Sequence, residues 1–151
     1  MNKKSDVDTK KFVDVFENLG RIERHNQTLM GIKKSEARAM LCVDYLSKKE
    51  EGKVTISEIS KNLSIASPTV TELVKVLTKK GYLERKVNEK DKRFVEVALT
   101  ETGKKIVQDI TQYYNDLFSG LVEKLGAEQS DLLVELLNQV NTYFDEWYKK
   151  D

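Results

Sequence analysis

The chain has 151 residues with a charged fraction of 34% and an apolar fraction of 39%. Those proportions fit a globular domain with a highly charged surface and exclude a disordered tail. No apolar run approaches the roughly 20 residues of a membrane span, and the opening MNKKSDVDTKK lacks the apolar stretch of a signal peptide, so a cytoplasmic location is expected. A single cysteine, Cys42, excludes an intrachain disulfide, and a single histidine, His25, excludes a cluster of imidazole ligands. Phosphate-binding glycine motifs are absent, and no nucleophile–base pair stands out. The expectation is a binding protein, with no catalytic residues, no metal and no cofactor.

Residues 7–25 carry Phe12, Val13, Phe16, Leu19 and Ile22 at helical spacing. Gly31 through Ser35 interrupts that pattern. Ser35 is expected to cap a second helix to about Lys48, with Ala37, Leu41, Cys42, Tyr45 and Leu46 inward. A polar turn, Lys48 to Lys53, precedes a short β-prone run, Val54-Thr55-Ile56. Thr55 and Glu58 have capping-box spacing, which opens a two-turn helix to about Leu63 with Ile59 and Leu63 inward. After a turn, Ser67 is the expected cap and Pro68 the expected first residue of a helix to Lys80, buried through Val70, Leu73, Val74 and Leu77. Gly81 suits its C-terminal stop.

Tyr82 to Val87 and Phe94 to Leu99 read as two strands, joined by the polar loop Asn88 to Lys92. Thr100 is expected to cap a long helix to about Leu125, stopped by Gly126. A last helix, from about Glu128 to Tyr148, carries Leu133, Leu136 or Leu137, Val140, Phe144 and Trp147. The fold class is mainly α with a small β-hairpin wing, a winged helix-turn-helix flanked by long helices.

Charge is unevenly placed along this plan. Residues 1–74 sum to +2, residues 75–95 to +5 and residues 96–151 to −6. A locally cationic face steers a polyanion even when the net charge is only +1; the alternative is a merely solvated hairpin. In a winged helix-turn-helix the second helix enters a major groove. Its outward residues are expected to be Ser67, Thr69, Thr71, Glu72, Lys75 and Lys79, with Pro68 opening the helix. The wing loop offers Lys90, Asp91, Lys92 and Arg93. Asp91 either braces the Arg93 guanidinium or forms a surface ion pair of little worth.

The stretch NLSIASPTVTELVKVLTKKGYLERKVNEKDKRFVEVALTETGKK resembles the DNA-binding core of MarR-type (multiple antibiotic resistance regulator) transcription factors. The resemblance rests on Thr71 with Leu73 and Leu77, on Lys80-Gly81-Tyr82-Leu83-Glu84-Arg85, on Asp91-Lys92-Arg93 and on Leu99-Thr100-Glu101-Thr102-Gly103. It covers roughly Ser35 to Lys105. It implies a bacterial-type transcriptional regulator, a two-fold dimer on a pseudo-palindromic double-stranded DNA operator, Arg93 in a minor groove held by Asp91, and release by a small ligand or by oxidation. The sequence departs from the family where Glu72 and Val76 replace frequent basic residues. Glu72 accepts from a cytosine amino group or pairs with Lys75 on its own helix.

The expected organisation is one domain, 1–151, with a DNA-binding lobe at 35–99 and a helical dimerisation region at 7–30 and 100–151. The dimer interface is assigned to Phe12, Phe16, Leu133, Leu137, Val140, Phe144 and Trp147, because so long an apolar stripe exceeds what the nearby core needs. Phe16, Tyr45 and Tyr113 either line an effector crevice or are ordinary core. Cys42 reads as a small buried hydrophobe, with a redox role as the alternative, and His25 as a helix-end surface residue. The functional expectation is a ligand-released repressor. The alternative is a winged-helix protein–protein module without DNA binding.

Overall fold

The computed structural model describes residues 8–49 and 53–150. Two compact units divide the chain, Met1–Val107 and Gln108–Asp151. The first holds α1 (Thr9–His25), β1 (Thr28–Leu29), β2 (Ile32–Lys33), α2 (Lys34–Ser47), α3 (Ile56–Leu63), α4 (Ser67–Lys79), β3 (Leu83–Val87), β4 (Val95–Leu99) and the first turns of α5 (Glu101–Leu125). The second holds the rest of α5 and α6 (Ala127–Tyr148). Position 7, where the first helix is expected to begin, and positions 50–52 of the polar turn lie outside the described residues.

Asp8 caps α1 by accepting from the Lys10 amide at 3.0 Å. Its apolar stripe, Phe12, Val13, Phe16, Leu19 and Ile22, remains at least 38% exposed. Between α1 and α2, where the sequence shows only an interruption, lies a hairpin of two-residue strands pairing Thr28 with Lys33 and Leu29 with Ile32. Met30 and Gly31 both have positive φ, 50° and 78°, the geometry of the tight turn that suits strand twist. Leu29 and Ile32 are buried.

The helix α2 starts at Lys34, with Lys33 rather than Ser35 at the cap position and no side-chain cap bond. It buries Ala37, Ala39, Met40, Cys42, Val43 and Leu46. Tyr45, expected inward, is exposed, and the Lys49 ammonium lies 4.8 Å from its ring centroid. Met40 and Val43 join Ile59 of α3, Val70, Val74 and Leu77 of α4, and Leu83 and Val97 of the hairpin in one core. Burial of such side chains stabilises by about 1.5–3 kcal/mol each.

The wing strands pair antiparallel in the register Leu83↔Leu99, Arg85↔Val97 and Val87↔Val95. Their inner face is apolar at the base and opens to solvent at the tip. Val54 extends this sheet by one bond, its carbonyl accepting from the Val97 amide at 2.7 Å. The second strand starts at Val95, one residue later than expected, and Phe94 is exposed. Ile106 and Val107 pack on the core of the first unit, which reaches into α5. In the second unit Gly126, with φ 84°, separates the two helices. No helix among the described residues is long and apolar enough to cross a membrane.

Candidate nucleic-acid interface

The interface is built from α3, α4 and the β3–β4 hairpin. Thr55 caps α3, its hydroxyl accepting from the Glu58 amide at 3.2 Å. The following turn closes through Ser64 in the left-handed region, φ 54°, and through Ser60, whose hydroxyl donates to the Ile65 carbonyl at 2.5 Å. The N-cap of α4 is Ala66, with no side-chain cap bond; Ser67 is the first helical residue and Pro68 the second. The expected Ser67 cap is therefore one position late, because Ala66 is the last extended residue, φ −64° and ψ 142°. Pro68 still suits the first turn, where no amide bond is lost.

Val70, Val74 and Leu77 anchor α4 to the core. Ser67, Pro68, Thr69, Glu72, Lys75 and Lys79 are exposed, as expected, while Thr71 is half-buried and donates its hydroxyl to the Ser67 carbonyl at 3.0 Å. Glu72 and Lys75 pair at 3.3 Å. Val76 is also exposed.

The far end of α4 is fastened three ways. The Tyr82 amide donates to the Leu77 carbonyl at 2.9 Å and the Gly81 amide to that of Thr78 at 3.0 Å, a Schellman closure that needs the positive φ of Gly81, 79°. The Thr100 hydroxyl donates to the Gly81 carbonyl at 2.6 Å and accepts from the Gly103 amide at 3.0 Å. The Lys80 ammonium meets Glu36 of α2 at 2.7 Å. Sequence reasoning missed this last pair, which bridges 44 positions; no local pattern announces it.

At the wing tip, Asn88 accepts from the Lys90 and Asp91 amides at 2.9 and 3.3 Å and donates to Glu96 at 3.1 Å. The loop expected from Asn88 to Lys92 opens at Asn88 as an asparagine-led turn, while its bond to Glu96 across the hairpin is not visible in the sequence. Asp91 grips Arg93 with both oxygens: Nε to Oδ1 at 2.9 Å and Nη2 to Oδ2 at 2.8 Å, with the Arg93 amide also donating to Oδ1 at 3.2 Å. The Arg93 side chain is nevertheless 86% exposed. The Arg93 side-chain bonds, then its amide, hold the Asp91 carboxyl below its ordinary range, and Asp91 raises the guanidinium in turn. The contact is bidentate and open to water, so it has the geometry a brace needs and the exposure of a surface ion pair. Lys90 and Lys92 are exposed beside it.

Other singled-out residues fall outside this surface. Cys42 is buried, its thiol pointing to Asn62 Oδ1 at 3.3 Å, and burial pushes its pKa up. That is the setting of an inert structural thiol. His25 ends α1 and is exposed. No cluster of potential metal ligands occurs among the described residues.

Helix, tight turn, helix and a twisted two-stranded wing define a winged helix-turn-helix protein. The family described as "Transcriptional regulator SarA/Rot" matches residues 30–110, more than half of the chain, and the chain belongs to that family. It is 34% identical to the HTH-type transcriptional regulator SarZ of Staphylococcus aureus over 100 residues, which are 65% of this chain and 66% of SarZ. The match thus spans just under two thirds of that relative's own length. Among solved structures, Streptococcus pneumoniae FabT in complex with DNA superposes with a TM-score of 0.69 and 25% identity, covering 92% of this chain and 96% of FabT. A mutant Escherichia coli MarR complexed with operator DNA gives 0.66 and 26%, covering 87% and 91%. The MarR-type resemblance therefore stands, and these relatives are transcriptional regulators, not enzymes.

Proposed function

We propose that the chain is a homodimeric, sequence-specific regulator of transcription that binds pseudo-palindromic double-stranded DNA, represses, and is released by a small-molecule effector. The observation that carries the DNA-binding reading is the Asp91–Arg93 grip. An ion pair this open to water contributes little to stability. It does limit the guanidinium's rotamers at the tip of a fixed loop, and pre-orientation lowers the cost of inserting an arginine into a narrow groove. With α4 in the major groove, Ser67, Thr69 and Thr71 meet its edge while Lys75, Lys79, Lys90 and Lys92 meet phosphates. FabT and MarR, both solved with DNA, support this reading through their similar fold.

Dimerisation is supported by surface chemistry. Phe12, Phe16, Leu133, Leu137, Phe144 and Trp147 are all at least 36% exposed in the single chain, and Val140 is half-buried. So much apolar surface on α1 and α6 is a liability unless a second copy covers it. A dimer fixes the spacing of two α4 helices. An effector that binds a different spacing more tightly lowers DNA affinity by linkage.

The test is selection of DNA from a random duplex pool, followed by affinity measurement across a salt series. Affinity is expected to fall steeply with salt through counterion release. Arg93→Ala is expected to weaken binding roughly 5- to 150-fold with the dimer unchanged in sedimentation. Asp91→Asn is expected to weaken it less and to add nothing in the Arg93→Ala background. Because the Asp91 pKa is lowered in the folded chain, its brace is complete above the ordinary carboxylate range and is lost only as pH falls through the depressed value. An Arg93→Ala protein that binds normally would remove the wing from the mechanism, and a salt-independent affinity would refute the reading and favour the protein-partner alternative.

A further inference from the structure

The exposed face of α4 carries one stripe whose chemistry does not suit phosphate. Glu72 and Val76 stand four residues apart, so they share a face about 6 Å apart along the helix axis. The Glu72 side chain is 71% exposed. Val76 is 40% exposed and is the one large hydrophobic residue of α4 left open, while Val70, Val74 and Leu77 fill the core and Leu73 packs against it. Val76 is thus not consumed by packing within the described residues. A carboxylate is repelled by a DNA backbone, and an isopropyl group gains nothing from one. Lys75, at 3.3 Å from one Glu72 oxygen, offsets part of the negative charge, and Lys75 and Lys79 are the groups suited to the flanking phosphates.

The base edges of a major groove offer what this stripe lacks. Amino donors come from cytosine N4 and adenine N6, but adenine sets the N7 acceptor beside its donor, where it opposes a carboxylate. Cytosine is therefore the better partner for Glu72. The thymine C5 methyl is the apolar group displayed there, and it is the natural partner for Val76. A separation of about 6 Å along the helix corresponds to one or two base steps of about 3.4 Å.

We propose that Glu72 and Val76 form a two-residue reader of neighbouring pyrimidines, the Glu72 carboxylate accepting from a cytosine N4 amino group and the Val76 methyls packing on a thymine C5 methyl. This rests on the DNA-binding reading above and names its specificity.

Selection from a random duplex pool with the full chain tests it. The native protein should enrich a cytosine and a thymine within two steps of each other in each half-site. Glu72→Gln should move the cytosine position to adenine, whose N6 and N7 suit an amide, and keep the thymine. Replacing that thymidine by deoxyuridine removes one methyl. It should cost the native protein about three- to fivefold in affinity per half-site and cost Val76→Ala nothing. Arg93→Ala should bind more weakly with the same base preference at these positions. Circular dichroism establishes that each variant is folded. Unchanged selection by Glu72→Gln, or equal deoxyuridine sensitivity in the native protein and Val76→Ala, overturns the pyrimidine reader while leaving DNA binding intact. A native protein that enriches no sequence overturns both.

Discussion

Gly103 sits where α5 passes over the backbone that leads into the wing, and a single added methyl tests how tightly that joint is built. A Cβ at this position would overlap the Tyr82 carbonyl oxygen, lie 3.0 Å from the Tyr82 carbonyl carbon and 3.2 Å from Leu99 Cδ2. Neither neighbour yields easily. Leu99 is buried, and the Tyr82 carbonyl already accepts from the Thr100 amide at 3.1 Å. The first turn of α5 would have to lift by on the order of 1 Å to restore van der Waals separation. That movement loosens the Thr100 bonds to Tyr82 and Gly81. Overpacking costs about 1–3 kcal/mol, and the two bonds about 0.5–1.5 kcal/mol each. An ordinary helical glycine-to-alanine change gains about 1 kcal/mol in return. The net expectation for Gly103→Ala is a loss of about 1–5 kcal/mol, read by urea unfolding at matched protein concentration with the m-value checked. Gly120 lies in the same helix with nothing within 4 Å of its ideal Cβ, so Gly120→Ala should gain about 0.5–1 kcal/mol. A Gly103→Ala protein within about 0.5 kcal/mol of the native one would refute the argument from close approach.

Lys80→Ala leaves the Glu36 carboxylate, only 4% exposed, without its cation. We expect a loss of about 2–4 kcal/mol, below the full range for a buried pair because Lys80 remains 41% exposed. The double change Glu36→Met with Lys80→Met should cost less than Lys80→Ala alone, since no charge is then stranded; the opposite order in denaturant unfolding would show that the pair itself stabilises. Cys42 should react with iodoacetamide at neutral pH far more slowly than a free thiol, and only as fast as the chain opens. Its raised pKa carries a matching sign: the associated stability is present at neutral pH and is lost as pH climbs above the ordinary cysteine range toward the folded value. Rapid native-state alkylation would restore the redox alternative.

Features controlled by neighbouring residues were legible in the sequence. Thr55 and Thr100 cap as their spacing predicts, and Gly81 closes α4 as a glycine after two lysines suggests. The Asp91–Arg93 contact was common to both alternatives, and its two-residue separation made it readable at all. Legibility failed where the deciding contact is remote or the element too short for a period. Strands of two residues cannot show alternation, so the β1–β2 hairpin registered only as a break. Tyr45 follows helical spacing, but α2 is covered by α3, α4, β4 and the small hairpin. Together they bury the faces carrying Ala39, Met40 and Val43 and leave the tyrosine ring to Lys49. The Glu36–Lys80 pair depends on two helices meeting across 44 positions, which no window sees.

The fastening of α4 is asymmetric, and the asymmetry bears on how it could work. Its C-terminal end is tied by the Schellman closure, by Thr100 and by Lys80. Its N-terminal end has no side-chain cap; Ala66 precedes an exposed Ser67 and a proline without an amide hydrogen. Were stability the whole purpose, a Ser, Thr, Asp or Asn at position 66 would add about 1 kcal/mol. That end keeps its partial positive charge and an exposed Ser67 hydroxyl, which on the proposed DNA-binding reading would face a phosphate. Rigidity placed at the far end then limits how much α4 can tilt on contact, so little binding energy goes into ordering it. The same logic holds at the wing, where a fixed loop presents a pre-aimed arginine. In both places structural bonds lie behind the surface and the groups that face outward are left largely unspent.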